Sequence, residues 1–142
     1  MLVTNMKNTI KFTFIIASLF SFSAHASMLV CPATITCNYE DGTCDQAKGW
    51  YINFFALGWP ASTGTQSMAL SAIYGVKASA SNIDPYYKIK KTKIECYYLP
   101  GGIKLVAYVK QLVGENWSFD GFGKFRGVCA NISDPTTCSG EN

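Results

Sequence analysis

Histidine is the scarcest chemistry-bearing residue in this 142-residue chain: there is one, His25. It falls in a leader-like segment, so the chain expected after processing has no imidazole at all. That excludes a Ser-His-Asp triad, a Cys-His dyad and every histidine-containing zinc site. No Cys-x-x-Cys pair occurs, which argues against a zinc site built on cysteine alone. A glycine-rich phosphate loop, a dinucleotide fingerprint and a G-x-S-x-G nucleophile elbow are missing too. Nothing in the pattern calls for a cofactor. Apolar runs are short: the longest, residues 12–24, falls well below the ~20 residues of a membrane-spanning helix.

That short run makes sense as part of an export signal. Lys7 and Lys11 supply positive charge with no acid before the apolar stretch, and Ala24-His25-Ala26 offers small residues where a signal peptidase needs them. Residues 1–26 therefore read as a cleavable signal peptide, with Ser27 the first mature residue. Met6 is an alternative start, since Met6-Lys7 opens a more usual charged region. Taking 26 residues from 142 leaves 116, enough for a single domain at 27–142 and too few for two. Loss of Lys7 and Lys11 takes Lys+Arg from 12 to 10 against 9 acids, so the net charge falls from +3 to +1. A broad nucleic-acid-binding field is not expected from that balance.

All six cysteines lie beyond the signal: Cys31, Cys37, Cys44, Cys96, Cys129 and Cys138. An even number in a small exported chain argues for disulfides. Six cysteines allow fifteen full pairings, and sequence alone leaves them open. Short separations suggest Cys37–Cys44 and Cys129–Cys138, which leaves Cys31–Cys96.

Strand signals dominate the mature chain. Across 91–98, Thr92, Ile94, Cys96 and Tyr98 alternate with Lys91, Lys93, Glu95 and Tyr97. Across 103–109, Ile103, Leu105, Ala107 and Val109 alternate with Lys104, Val106 and Tyr108. Pro100-Gly101-Gly102 between them supplies turn chemistry, so the pair reads as a β-hairpin. Residues 33–39, 50–55 and 117–129 are further strand candidates, the last carrying glycines that suggest a bulge or a bend. Residues 67–77 alternate at period two and are read as a strand, with one short helix as the alternative. Segments 38–49, 58–66, 79–85 and 131–142 read as loops, and the polar tail after Cys138 as frayed. The expected fold is mainly β: a small antiparallel β-sandwich or rolled sheet held by disulfides.

Cys31-Pro32, Ile35-Thr36-Cys37, Gly49-Trp50 and Ile94-Glu95-Cys96-Tyr97-Tyr98 together resemble a group of small exported gammaproteobacterial proteins of the kind found in Legionella and its relatives. The resemblance implies export by the general secretory route and onward release through a type II system. It carries no activity and no catalytic motif.

Three constellations are candidates for function. Tyr86, Tyr87, Lys88, Lys90, Lys91 and Lys93 form a basic, aromatic run suited to an anionic glycan, lipid headgroups or a phosphate backbone. The plainer reading is a lysine-guarded edge strand. Among Trp50, Trp59, Trp117, Tyr97, Tyr108, Phe119 and Phe122, the loop residue Trp59 and the strand-opening Trp117 are the expected exposed anchors, most of the others, Trp50 above all, being core. Glu95, Glu115 and Asp120 are the only prospect for a carboxylate pair of the glycosidase type, and Glu40, Asp41 and Asp45 crowd the Cys37–Cys44 loop without EF-hand spacing. Asn116-Trp117-Ser118 and Asn131-Ile132-Ser133 match glycosylation sequons, which matter only in a eukaryotic secretory pathway.

The expectation is a secreted or periplasmic binding module without catalytic activity, its ligand a protein, a glycan or a membrane surface. The alternatives are an enzyme inhibitor presenting the Cys37–Cys44 loop, a carboxylate-based hydrolase, or a structural component of the cell envelope.

Overall fold

The computed structural model describes residues 27–55, 64–79, 90–99, 101–121 and 123–142. Residues 1–26, where a signal peptide is expected, and Trp59, Tyr86, Tyr87, Lys88, Pro100 and Phe122 lie outside these residues. In chain order the strands are β1 (Met28–Val30), β2 (Thr34–Asn38), β3 (Thr43–Cys44), β4 (Tyr51–Phe54), β5 (Thr65–Ala69) and β6 (Ala72–Val76). They continue as β7 (Lys93–Tyr98), β8 (Ile103–Tyr108), β9 (Gln111–Val113), β10 (Trp117–Phe119), β11 (Arg126–Cys129) and β12 (Ser139–Glu141). A single 3-10 turn, Pro135–Thr137, precedes β12. No helix among the described residues is long and apolar enough to cross a membrane.

Three antiparallel sheets result. The largest has six strands in the order β10-β11-β6-β7-β8-β4. Two three-stranded sheets, β3-β2-β5 and β1-β12-β9, complete the fold. Its centre is the β7–β8 hairpin, registered from Lys93 opposite Tyr108 to Tyr98 opposite Ile103. The turn demands glycine twice over. Gly102 sits at φ +67, and Gly101 lies against Met68 and accepts the Tyr39 hydroxyl on its carbonyl at 2.8 Å.

Alternation along β7 and β8 sends one set of side chains inward. Ile94, Cys96, Tyr98, Ile103 and Leu105 are fully buried, joined by Ile73 from β6 and by Ile35, Met68, Cys31 and Cys37 from the segments laid over them. The small sheets cover this inner face. Tyr98 donates its hydroxyl to the Pro32 carbonyl at 2.7 Å, and the Cys31–Cys96 disulfide bonds the start of the chain to β7. On the other small sheet, a side chain at Gly140 would meet Ile94 and Val109 at 2.7 and 2.6 Å. Glycine there is what allows β12 to approach so closely. The remaining disulfides are Cys37–Cys44 and Cys129–Cys138, the same set that the spacings suggest.

Several local expectations change, among them the 38–49 loop, which holds the short strand β3 paired to β2. Residues 67–77 are strand-forming, as expected, but not one strand. They divide at Leu70-Ser71 between β5 and β6, where the Ser71 N–H is taken by the Tyr97 carbonyl and the Leu70 N–H by that of Ala33. The 117–129 stretch is two strands, not one, because β10 and β11 pair antiparallel with each other; between them the Asp120 carboxylate accepts the Gly123 N–H. The tail is not frayed: β12 is the middle strand of its sheet, paired to β1 on one side and β9 on the other. Finally, β7 is an interior strand between β6 and β8, so edge protection does not account for Lys93.

Candidate functional site

The inner face is core; the outer face of the six-stranded sheet is where the chemistry collects. Registers across five strands place its side chains in rows. Tyr51 of β4 lies opposite Val106 of β8, Val106 opposite Glu95 of β7, Glu95 opposite Tyr74 of β6, and Tyr74 opposite Val128 of β11. One row along, Asn53, Lys104, Tyr97 and Ala72 are aligned. In the row on the other side stand Tyr108, Lys93, Val76 and Arg126.

The aromatic rings contact one another edge to face. Tyr51 meets Tyr108 at 5.8 Å between centroids, Phe55 meets Tyr97 at 5.7 Å, and Tyr74 meets Tyr97 at 5.2 Å. Such contacts hold each ring in one orientation. Cations sit over three of them: Arg126 is 4.9 Å from the Tyr74 ring, Lys91 5.4 Å from Tyr108 and Lys104 5.5 Å from Tyr97. Tyr51 stays 67 % exposed, Tyr108 48 % and Val128 45 %.

Glu95 anchors the middle of this face and is 4 % exposed. Its Oε1 pairs with Lys93 Nζ at 2.7 Å and lies 3.8 Å from Lys104 Nζ, while Tyr97 donates its hydroxyl to Oε2 at 2.9 Å. Burial by itself pushes the Glu95 carboxyl up, but the Lys93 and Tyr97 hydrogen bonds and the two lysine charges outweigh it and hold the group below its ordinary value. Tyr97 responds in the opposite sense. Burial, with the hydrogen bond to Glu95 and its charge, pushes the phenol up to about 12.

The sequence-predicted residues distribute unevenly over this geometry. Lys93 and Lys91 belong to the face, and Lys90 is exposed at its border. Trp117 does not belong to it. The indole is half-buried, packs over Gly75 beside Leu112, and donates Nε1–H to the Val113 carbonyl at 3.0 Å. Its place is at the margin of the core. Tyr51, Phe55, Tyr74, Lys104 and Arg126 were not among the predicted site residues. The signal for Lys104 and Tyr108 was present, as the polar half of the β8 alternation; the partners on β4, β6 and β11 become visible only through long-range pairing.

Glu95, Glu115 and Asp120 are not brought together as a catalytic pair. Glu95 is committed to Lys93 of β7 and Lys104 of β8, Glu115 lies between β9 and β10, and Asp120 accepts the Gly123 N–H between β10 and β11. In the Cys37–Cys44 loop, Asp41 accepts the Thr43 hydroxyl at 2.5 Å, the Thr43 N–H at 3.0 Å and an Asn38 amide N–H at 3.2 Å. The Thr43 side-chain and backbone bonds hold the Asp41 carboxyl below its ordinary value. No group of three or more His, Cys, Asp or Glu residues suited to a metal ion occurs among the described residues. No protein family, curated protein or solved structure matches the chain.

Proposed function

We propose that this chain, once residues 1–26 are removed, works outside the cytosol as a non-catalytic binding module whose ligand lies across the outer face of the six-stranded sheet. The observation that carries the reading is the exposed Tyr51–Tyr108 pair, set in a face whose other prominent groups are Phe55, Tyr97, Lys104 and Arg126. Aromatic surface left in water forgoes about 25 cal/mol for each Å² that could be buried, and patches of this kind on small domains mark contact surfaces. Tyrosine suits the task. Its ring offers a flat apolar area with few torsions to freeze, and its hydroxyl keeps a polar contact available.

Two further observations support the setting and the absence of chemistry. All six cysteines are paired in disulfides, a state that persists in oxidising compartments outside the bacterial cytosol. Glu95, the most buried carboxylate of the face, is locked by lysines and a tyrosine in its ionised form and has no free acid to donate.

The test is binding of the oxidised domain to a broad panel of glycans, vesicles and proteins, with Tyr51→Ala and Tyr108→Ala beside the parent. Loss of a stacked ring is expected to weaken the best ligand about tenfold, with the thermal melt little changed because both side chains are exposed and outside the core. Undiminished binding by both variants, or no ligand anywhere in the panel, would count against the face.

A further inference from the structure

The Tyr108 end of the face opens into a hollow of about 400 Å³ lined by Lys90, Lys91, Thr92, Tyr108 and Lys110 among others. No acidic side chain lines it. Lys90, Lys91 and Lys110 form no ion pair among the described residues, whereas Lys93 and Lys104 share the single carboxylate of Glu95. Three like charges around one concavity repel one another, an arrangement that an incoming anion relieves. Tyr108 belongs to both features. It forms a wall of the hollow and is the partner of the exposed Tyr51 ring.

From this juxtaposition we infer that the ligand is an acidic polysaccharide, a chain whose sugar rings lie on Tyr51 and Tyr108 while a ring-borne carboxylate or sulfate enters the Lys90–Lys91–Lys110 hollow. The inference rests on the binding reading above and narrows it. The face favours a glycan over an acidic protein because its middle is the charged Glu95–Lys93–Lys104 cluster rather than the dry apolar centre on which protein interfaces depend. A glycan also fits better than a membrane. The rings beside the hollow are tyrosines fixed edge to face, not extended aliphatic side chains able to enter the acyl region.

The experiment measures binding of the oxidised 27–142 chain to polygalacturonate, dextran sulfate, neutral dextran, poly-glutamate and phosphatidylglycerol vesicles. One of the two acidic glycans is expected to bind, and which one does distinguishes carboxylate from sulfate. Raising salt from about 0.05 M to about 0.5 M is expected to weaken that binding about tenfold or more. The triple variant Lys90→Gln, Lys91→Gln, Lys110→Gln is expected to lose about tenfold at low salt, and Tyr108→Ala a similar factor. All four side chains are at least part-exposed, so unchanged circular dichroism and melting are expected and serve as the folding control. Equal binding of neutral dextran, equal binding of poly-glutamate, or binding confined to vesicles overturns the acidic-glycan inference. If that binding is still lost in Tyr51→Ala, the face reading stands alone. No binding to these probes or to the wider panel overturns both.

Discussion

A carboxylate at the middle of a solvent-facing strand face is ordinarily hydrated, yet Glu95 is 4 % exposed beneath Lys93, Lys104 and Tyr97. Its environment compensates for lost water with one close ammonium, a second at 3.8 Å and one phenol hydrogen bond. Because the folded-state value lies below the ordinary glutamate value of 4.5, the stabilisation is present above that pH. It is lost as pH falls through the depressed folded value. Urea midpoints taken from about pH 6 down to about pH 3 should therefore fall less steeply for Glu95→Gln than for the parent. Parallel slopes would show that other carboxylates dominate the acid limb. Tyr97 acts at the other extreme. Its raised value means that stability is lost as pH climbs from about 10 toward about 12, where the unfolded phenol has ionised and the folded one still holds its proton.

At the scale of strands and cross-links, Cys31–Cys96 spans 65 residues, against 7 for Cys37–Cys44 and 9 for Cys129–Cys138. Closing the longer loop removes more freedom from the unfolded chain: about 4 kcal/mol, compared with about 2.5 kcal/mol for each short loop. Chemical denaturation of the three paired Cys→Ala variants should rank them in that order, with the Cys31/Cys96 pair the most damaging. A Cys37/Cys44 variant that lost the most would mean that the β2–β3 hairpin holds the fold. What sequence could reveal here followed the range of the interactions. The β7–β8 hairpin was legible because Ile94, Cys96, Tyr98 and the Pro100-Gly101-Gly102 turn are all local signals. The two short disulfides were favoured for the same reason. Ser139-Gly140-Glu141 has little strand propensity and reads as a tail. It becomes a central strand through the Cys129–Cys138 bond and through the room that Gly140 leaves against Ile94 and Val109. The outer face was half-legible. Lys93 and Tyr97 alternate on β7, and Lys104 and Tyr108 on β8, but Tyr51, Tyr74 and Arg126 reach the same surface only by pairing that no local pattern announces. Trp117 misled because a tryptophan opening a glycine-rich strand looks exposed, whereas Gly75 leaves a seat for its ring.

Across the whole molecule the two sides of the large sheet carry opposite assignments. The inner side is apolar, cross-linked and covered by the two small sheets; the outer side carries Tyr51, Phe55, Tyr74, Tyr97 and Tyr108 among Lys91, Lys93, Lys104 and Arg126, with Glu95 as the counter-charge. Acids gather elsewhere, at Glu40, Asp41 and Asp45 around the β2–β3 hairpin, so a modest net charge of +3 conceals a polar distribution. The most direct measurement of the central claim is an amide chemical-shift titration of the oxidised, isotope-labelled domain with whichever panel ligand binds best. Shifts concentrated at Tyr51, Lys93, Lys104 and Tyr108, with the amides of Asn38, Asp41 and Thr43 unmoved, are the predicted result. Shifts confined to the Cys37–Cys44 loop, with β4, β7 and β8 silent, would contradict the account and place recognition on the disulfide-tied hairpin instead.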